Sequence, residues 1–139
     1  MDHDGGCHCG NLRVRLRLTQ PPQEYTLRSC SCKFCRAHGT RTASDPHGFF
    51  EVWAKDWVLV APYRFGSLTA DYLICRQCGV YVGAVCETSV GLRAVVNINS
   101  LADRADFSRE PVRPDYEGES TTERLARRAA NWMPTVLHR

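Results

Sequence analysis

Seven of the eight cysteines in this 139-residue chain fall into three short clusters. The clusters are the N-terminal pair (Cys7, Cys9), the triplet (Cys30, Cys32, Cys35) and the second pair (Cys75, Cys78). Cysteine thiolates at such spacings are typical zinc ligands. A structural zinc uses four protein ligands, whereas a catalytic zinc uses three and leaves one position open. Two pairs and a triplet therefore predict one zinc that stabilises the fold and a second zinc that takes part in chemistry.

A disulfide scaffold is the alternative for a small cysteine-rich chain. Residues 1–6 are acidic and contain neither a basic segment nor an apolar stretch, so no signal peptide is visible. Two cysteines separated by one residue also cannot easily bond to each other. We therefore expect metal ligation in a reducing cytoplasm.

The two pairs are the better candidates for the structural site. The second pair has the spacing of a zinc knuckle, a turn whose backbone N–H groups point at sulfur, and Gly79 after it permits a positive φ. The N-terminal pair is followed by Gly10 in a similar turn. Joining the pairs would close nearly the whole chain into one unit. This favours a structural zinc bound by Cys7, Cys9, Cys75 and Cys78.

The triplet could hold a metal within one local turn. Three thiolates and Zn²⁺ leave a net negative charge, which nearby cations such as Arg28, Lys33 and Arg36 would offset. A thiolate-rich zinc is a weak Lewis acid, better suited to holding another thiolate than to forming hydroxide. The triplet therefore predicts a catalytic zinc, bound by Cys30, Cys32 and Cys35, that acts on a thiol substrate.

The alternative for the triplet is a second structural zinc, completed by Cys86, His8, His38 or His47. His38 follows Cys35 by three residues and could cap the same metal. Cys86 follows a continuous apolar run, which favours a buried thiol without a metal. His38 and His47 are the general acid or base candidates that the sequence offers.

Length and composition predict one globular domain over residues 1–139. Apolar residues make up 43% of the chain and charged residues 24%, which is ordinary for a soluble protein. The formal charge of +3 is too small to indicate nucleic-acid binding and only permits a small anionic substrate. The apolar run 80–86 is far too short to span a membrane. We therefore expect neither a nucleic-acid partner nor a membrane partner.

Strand-like patterns dominate the chain. Residues 12–18 alternate leucine or valine with arginine, which predicts a half-buried strand, and 24–28 is its expected partner. Further strand-like runs lie at 49–60, 71–75, 80–85 and 92–98. Together these runs predict a mainly β fold.

The C-terminal third has a different character. Residues 104–118 are polar and contain two prolines, which indicates an extended surface segment. Ser120 and Glu123 form a capping box that opens a short helix to about residue 130. The arginines of this helix, Arg124, Arg127 and Arg128, are interpreted as a solvated face. Earlier in the chain, Trp53 and Trp57 of the run 49–60 are interpreted as core residues or, alternatively, as pocket residues.

These motifs resemble the glutathione-dependent formaldehyde-activating enzyme family, which shares a domain with the centromere protein V group. The matching segments are Gly6-Cys7-x-Cys9-Gly10, Cys30-x-Cys32-x-x-Cys35-Arg36-x-x-Gly39, Cys75-x-x-Cys78-Gly79 and Asn97-x-x-Ser100-Leu101. The resemblance implies a zinc-organised β-tent of small antiparallel sheets with a core at about 5–101, on which 102–139 packs. It also implies structural zinc at the two pairs and catalytic zinc at the triplet.

The resemblance further implies an activity, in which glutathione and formaldehyde combine into S-hydroxymethylglutathione, the reverse of a carbon–sulfur lyase reaction. Glutathione carboxylates need cationic partners, for which Lys33, Arg36 and Arg76 are candidates by sequence proximity. The fold transfers more readily than the substrate. A non-catalytic zinc-ordered binding module and a thiol redox sensor are the alternative functions, and the sequence does not indicate an oligomeric state.

Overall fold

The computed structural model describes residues 1–139 and confirms a mainly β fold with a short C-terminal helix. The strands are β1 Asp2–Gly6, β2 Leu12–Arg17, β3 Thr42–Ala43, β4 Phe49–Ala54, β5 Val60–Tyr63, β6 Asp71–Cys75, β7 Tyr81–Thr88, β8 Gly91–Asn97 and β9 Met133–His138. The two α-helices are α1 Lys33–His38 and α2 Thr121–Asn131. Neither helix has the length and apolarity to cross a membrane.

Strand β2 has the predicted alternation, but its predicted partner is wrong. Its leucines and valine are buried and its arginines are exposed. It pairs with β1 and β4, whereas residues 24–28 form no strand. Asp4 and Asp2 of β1 bind Arg15 and Arg17 across the strands, and these exposed ion pairs favour this register modestly. Residues 22–24 instead form a 3₁₀ turn that begins at the second of two consecutive prolines, and Arg28 makes only isolated bridges.

The sheet is continuous and contains a strand from the C-terminal segment. Its order is β1-β2-β4-β9-β8-β7-β6-β5, with β3 paired to β8. Strand β9 runs parallel to β4 and antiparallel to β8, whereas the other neighbours are antiparallel. Residues 102–139 therefore do more than pack on a finished core, because their last strand joins the two halves of the sheet.

Helix α2 begins at the predicted capping box and covers part of the sheet. The Ser120 hydroxyl accepts from the Glu123 N–H at 3.1 Å, and the Glu123 carboxylate accepts from the Ser120 N–H at 3.1 Å. The helix packs on β7 and β8. Trp132 directly follows α2 and is buried with Ala70, Ala84, Cys86 and Val95. This apolar cluster fixes the rotation of α2 about its own axis and so decides which of its faces lies against the sheet.

The segment 104–118 is only partly the extended surface segment that the sequence predicts. It begins with a short 3₁₀ turn and buries the ring of Phe107 in the main core. Val112, near the middle of the segment, forms a β-bridge with Arg28. The segment therefore lies against the loop that carries the triplet.

Candidate metal centres and the adjoining cavity

The two cysteine pairs come together in one four-cysteine group, as the sequence predicts. Their sulfurs all lie within 4.8 Å of one another. The Cys7 and Cys9 sulfurs are 3.7 Å apart, and those of Cys9 and Cys75 are 3.5 Å apart. A tetrahedral ion with metal–sulfur bonds of about 2.3 Å has sulfur–sulfur edges of about 3.8 Å. The four-cysteine group therefore has the dimensions of a closed zinc site.

Local turns aim these sulfurs inward. Gly10 and Gly79 have φ values of +84° and +81°, which glycine adopts without strain. The Leu12 N–H donates to the Cys7 sulfur at 3.2 Å. Desolvation opposes ionisation of Cys78, but hydrogen bonds from the backbone N–H groups of Val80 and Cys9 outweigh it, and its pKa falls to about 6. A backbone hydrogen bond from Asn11 lowers the pKa of Cys9, but burial and the neighbouring thiols outweigh it and raise that pKa to about 11. Cys78 is therefore the thiolate that the metal-free group favours.

The triplet forms a second group with its sulfurs within 4.8 Å of one another. Cys32 caps the N-terminus of α1, where its sulfur accepts from the Cys35 N–H at 3.3 Å. The Cys32 N–H in turn faces the Cys30 sulfur at 3.5 Å. One short loop and the first turn of a helix therefore bring the three thiols together without any distant residue.

Cys30 and Cys35 of the triplet differ in how readily their thiols ionise, because a hydrogen bond joins the two. A hydrogen bond from the Cys35 thiol is the main cause that lowers the pKa of Cys30 to about 5, and the charge of Arg127 contributes in the same direction. The same hydrogen bond and burial raise the pKa of Cys35 far above its ordinary value. In the metal-free chain Cys30 is therefore the thiolate, and Cys35 keeps its proton until a cation replaces it.

The triplet borders a cavity of about 430 Å³, within the usual range of small-molecule sites. The four-cysteine group does not contribute to its walls. The cationic and aromatic lining residues are Arg28, Arg124, Arg127, Arg128, Phe65, Tyr72, Tyr81, Tyr116 and Trp132. Asp115 and Glu117 are its acidic residues. The triplet therefore has access to a space that could hold a second reactant, and the four-cysteine group does not.

The cations that line the cavity differ from those suggested by sequence proximity. Lys33, Arg36 and Arg76 are exposed and do not line it. The interpretation of the α2 arginines as a solvated face is wrong, because all three line the cavity. Their spacing of i, i+3 and i+4 already places them on one helical face. Only the docking of α2 through Trp132 directs that face toward the triplet.

None of the sequence candidates for a fourth ligand joins the triplet. The ring of His38 packs on Phe34 at 4.5 Å, and both His8 and His47 are exposed. Cys86 is a buried thiol, as expected, and accepts from Arg128 at 3.6 Å. The triplet thus remains a three-ligand group within the protein.

The two tryptophans proposed for the core or a pocket lie away from the cavity. The Trp53 ring stacks on His138 at a centroid distance of 4.7 Å. The Trp57 indole N–H donates to the His138 carbonyl at 2.8 Å. Both are half-buried and support the β4–β9 region.

Tyr72 and Tyr81 are functional candidates that sequence reasoning missed. They line the cavity, and their ring centroids are 5.8 Å apart. Burial raises the pKa of Tyr72 to about 12 and that of Tyr81 well above its ordinary value, with smaller contributions from the triplet. Both hydroxyls therefore keep their protons at neutral pH. The sequence signal that could have identified them is their symmetric spacing about the second cysteine pair. Tyr72 lies three residues before Cys75, and Tyr81 lies three residues after Cys78.

No model of a protein family matches the chain. A crystal structure of a Rhodobacter sphaeroides protein, solved by a structural genomics consortium, is similar to it with a TM-score of 0.56 and 28% identity. The match covers 80% of this chain and 98% of that one. That protein's name states no activity, so the likeness supports the fold and the function must be argued from the site.

Proposed function

We propose that this protein is a zinc-dependent enzyme of the carbon–sulfur lyase type that acts on a thiol–aldehyde adduct. Glutathione and formaldehyde are the favoured reactants. The observation that supports this most strongly is the three-cysteine group on the wall of a cavity of about 430 Å³. A purely structural metal would be expected to have four protein ligands, as the two cysteine pairs provide.

The donor sets suit two zinc ions of different roles. The four-cysteine group would hold a structural zinc, and Cys30, Cys32 and Cys35 would hold a catalytic zinc. When bound at the triplet, zinc would keep a substrate thiol ionised near neutral pH. We place the protein in a reducing cytoplasm, where thiols stay available as metal ligands.

The tyrosines give the cavity a source of protons. In the synthetic direction the substrate sulfur attacks the carbonyl carbon, the C–S bond forms, and the carbonyl oxygen takes up one proton. In the reverse direction the adduct hydroxyl loses that proton as the C–S bond breaks. Tyr72 and Tyr81 hold a proton at Oη within the cavity, so either could exchange it with the oxygen.

The remaining walls fit a substrate with both apolar and anionic parts. The lining contains four arginines and only two carboxylates, and this surplus of positive charge favours an anionic substrate. Phe65, Trp132 and Val95 supply apolar surface that excludes water from the reacting atoms. A thiol that bears carboxylates, such as glutathione, matches this combination.

Exchange NMR with ¹³C-formaldehyde and glutathione would test the proposal, because it reports adduct formation and breakdown at equilibrium. We expect two zinc ions per chain by elemental mass spectrometry and an exchange rate that rises with protein concentration. Cys32→Ser should abolish this increase while the far-UV circular dichroism spectrum stays unchanged.

Ala37→Ser is the matched control, since it introduces serine at an exposed position of the short helix α1, outside the triplet and the cavity lining. A wild-type protein with two zinc ions that leaves the exchange rate at its uncatalysed value with glutathione and with smaller thiols would refute the proposal.

A thiol redox sensor is the second candidate, favoured by the low pKa of Cys30 beside the Cys35 thiol. Peroxide would oxidise the two thiols to a disulfide and be reduced to water, with release of the metal. Mass spectrometry after mild peroxide treatment separates the functions, because retained zinc and unchanged thiols would argue against a sensor. No particular contact favours the non-catalytic binding module.

A further inference from the structure

Arg128 is a buried cation on the cavity wall without an acidic partner. The residue is only 6% exposed to solvent. None of the ion pairs of the chain includes it. Buried guanidinium groups are nearly always paired, because removing the charge from water is costly. The acceptor that this side chain requires is therefore missing from the protein itself.

The other two arginines of α2 are already paired. Glu119 accepts from Arg124 at 3.2 Å and from Arg127 at 2.8 Å. The Arg127 guanidinium also lies over the Tyr116 ring, 3.7 Å from its centroid. These contacts hold the two side chains at the rim of the cavity. Arg128 is the α2 cation whose charge the protein leaves unbalanced.

The hydrogen bonds of Arg128 leave one edge of its guanidinium free. Nη1 donates to the Thr69 hydroxyl at 2.8 Å and faces the Cys86 sulfur at 3.6 Å. The Trp132 ring lies against one face, 4.7 Å from the guanidinium carbon. Nε is buried and has no partner. The edge formed by Nε and Nη2 is the one that binds a carboxylate through two parallel hydrogen bonds.

We propose that Arg128 binds a carboxylate of the cavity ligand, so that the substrate is a thiol bearing a carboxylate apart from its sulfur. The claim that the ligand is a thiol rests on the proposed function, whereas the claim that it bears a carboxylate rests on Arg128 alone. Thr69 and Trp132 hold the guanidinium in place before the ligand arrives. The apolar surroundings strengthen the pairing, because little water competes for either charge.

The alternative role for Arg128 is to offset the negative charge of the triplet. The pKa of Tyr72 is raised mainly by burial, lowered by Arg128 and raised by the triplet, so its hydroxyl lies within electrostatic reach of both. If Arg128 only offset the charge of the triplet, it would help to retain the metal, and the cavity would bind a carboxylic acid and its ester equally well. Measurements of ligand preference and metal content therefore separate the two roles.

The test compares two acids with their methyl esters on the zinc-loaded, full-length protein. N-acetylcysteine and its methyl ester contain the thiol, whereas N-acetylalanine and its methyl ester do not. Affinity is measured by NMR titration, which also reports the Nε–H resonance of Arg128. We expect each acid to bind roughly tenfold or more tightly than its ester and to shift that resonance.

Arg128→Met should abolish the preference for the acid, and Arg128→Lys should keep part of it, since lysine retains the charge without the fork. Arg113→Met is the control, because it removes an exposed arginine that does not line the cavity. This control should keep the full preference. Zinc content should be unchanged in all three variants.

Equal affinity for acid and ester in the wild type, absence of binding by either acid, or a preference that survives in Arg128→Met would overturn the proposal. Zinc loss from Arg128→Met but not from Arg128→Lys would also overturn it, in favour of the charge-offsetting role, because lysine retains the charge. If Arg128→Met does not fold, the wild-type comparison and Arg128→Lys decide. If N-acetylcysteine binds no more tightly than N-acetylalanine, the proposed thiol function fails while the carboxylate site stands.

Discussion

Serine substitutions in the two cysteine groups should have very different effects on stability. The four-cysteine group joins turns that are 66 residues apart in sequence at Cys9 and Cys75, and it packs against the main core. The triplet lies within one short loop and one helical turn. Removal of a ligand from the four-cysteine group therefore affects the whole fold, whereas removal from the triplet changes a local segment.

The magnitude follows from the binding free energy of structural zinc. Such sites contribute about 10–16 kcal/mol, or roughly 2.5–4 kcal/mol per ligand if this free energy is shared equally among four ligands. A domain of this size has a free energy of unfolding of about 5–15 kcal/mol. Cys78→Ser should therefore remove a large part of the stability and lower the Tm by about 10 °C or more. Cys32→Ser should cost less than about 1 kcal/mol, because three thiols within one local turn also bind zinc in the unfolded chain and so stabilise the fold little.

Thermal unfolding followed by circular dichroism, at a fixed free zinc concentration, measures both effects. Holding zinc fixed is necessary because metal binding to the folded state shifts the apparent Tm. Cys86→Ala shows the cost of removing a buried thiol outside both groups. A Cys32→Ser variant destabilised as much as Cys78→Ser, or a Cys78→Ser variant with the wild-type Tm, would refute this division of the cysteines.

Three further predictions concern protons and ion pairs. Burial opposes ionisation of Asp45, but hydroxyl and backbone N–H donors outweigh it and hold its pKa at about 2, below the ordinary 3.8. Its contribution of about 2 kcal/mol is present above pH 4 and lost as the pH falls toward 2, so Asp45→Asn should flatten acid unfolding curves in that range. Replacing both Tyr72 and Tyr81 with phenylalanine should lower the adduct exchange rate by about 10²-fold or more without loss of zinc; an unchanged rate would exclude them as proton donors. Glu119 neutralises Arg124 and Arg127 at the cavity rim, and the hydrogen bond from Arg127 lowers the pKa of Glu119 below its ordinary value. Glu119→Gln should therefore leave the rim more positive and lower the KM for an anionic thiol several-fold, and an unchanged KM would show that this ion pair does not shape the potential at the rim.

Local sequence patterns determined the features that depend on near neighbours. Sulfurs two or three residues apart meet in one turn whatever the rest of the chain does, so the triplet and both pairs could be identified from spacing. Strand β2 and the capping box of α2 follow from period-two alternation and from side chains that bond within one turn. The dimensions of the two cysteine groups agree with the division into four ligands and three.

Tertiary structure decided the features that depend on distant pairing. The partners of β2 and the place of β9 follow from contacts between segments far apart in sequence, where several pairings satisfy the same hydrophobic pattern. The arginines of α2 share a face in any helix, but a charged face is compatible with solvent as well as with a cavity. Burial of Trp132 beside β7 and β8 settled that choice, because it fixed the rotation of the helix and left Arg128 buried at the cavity wall.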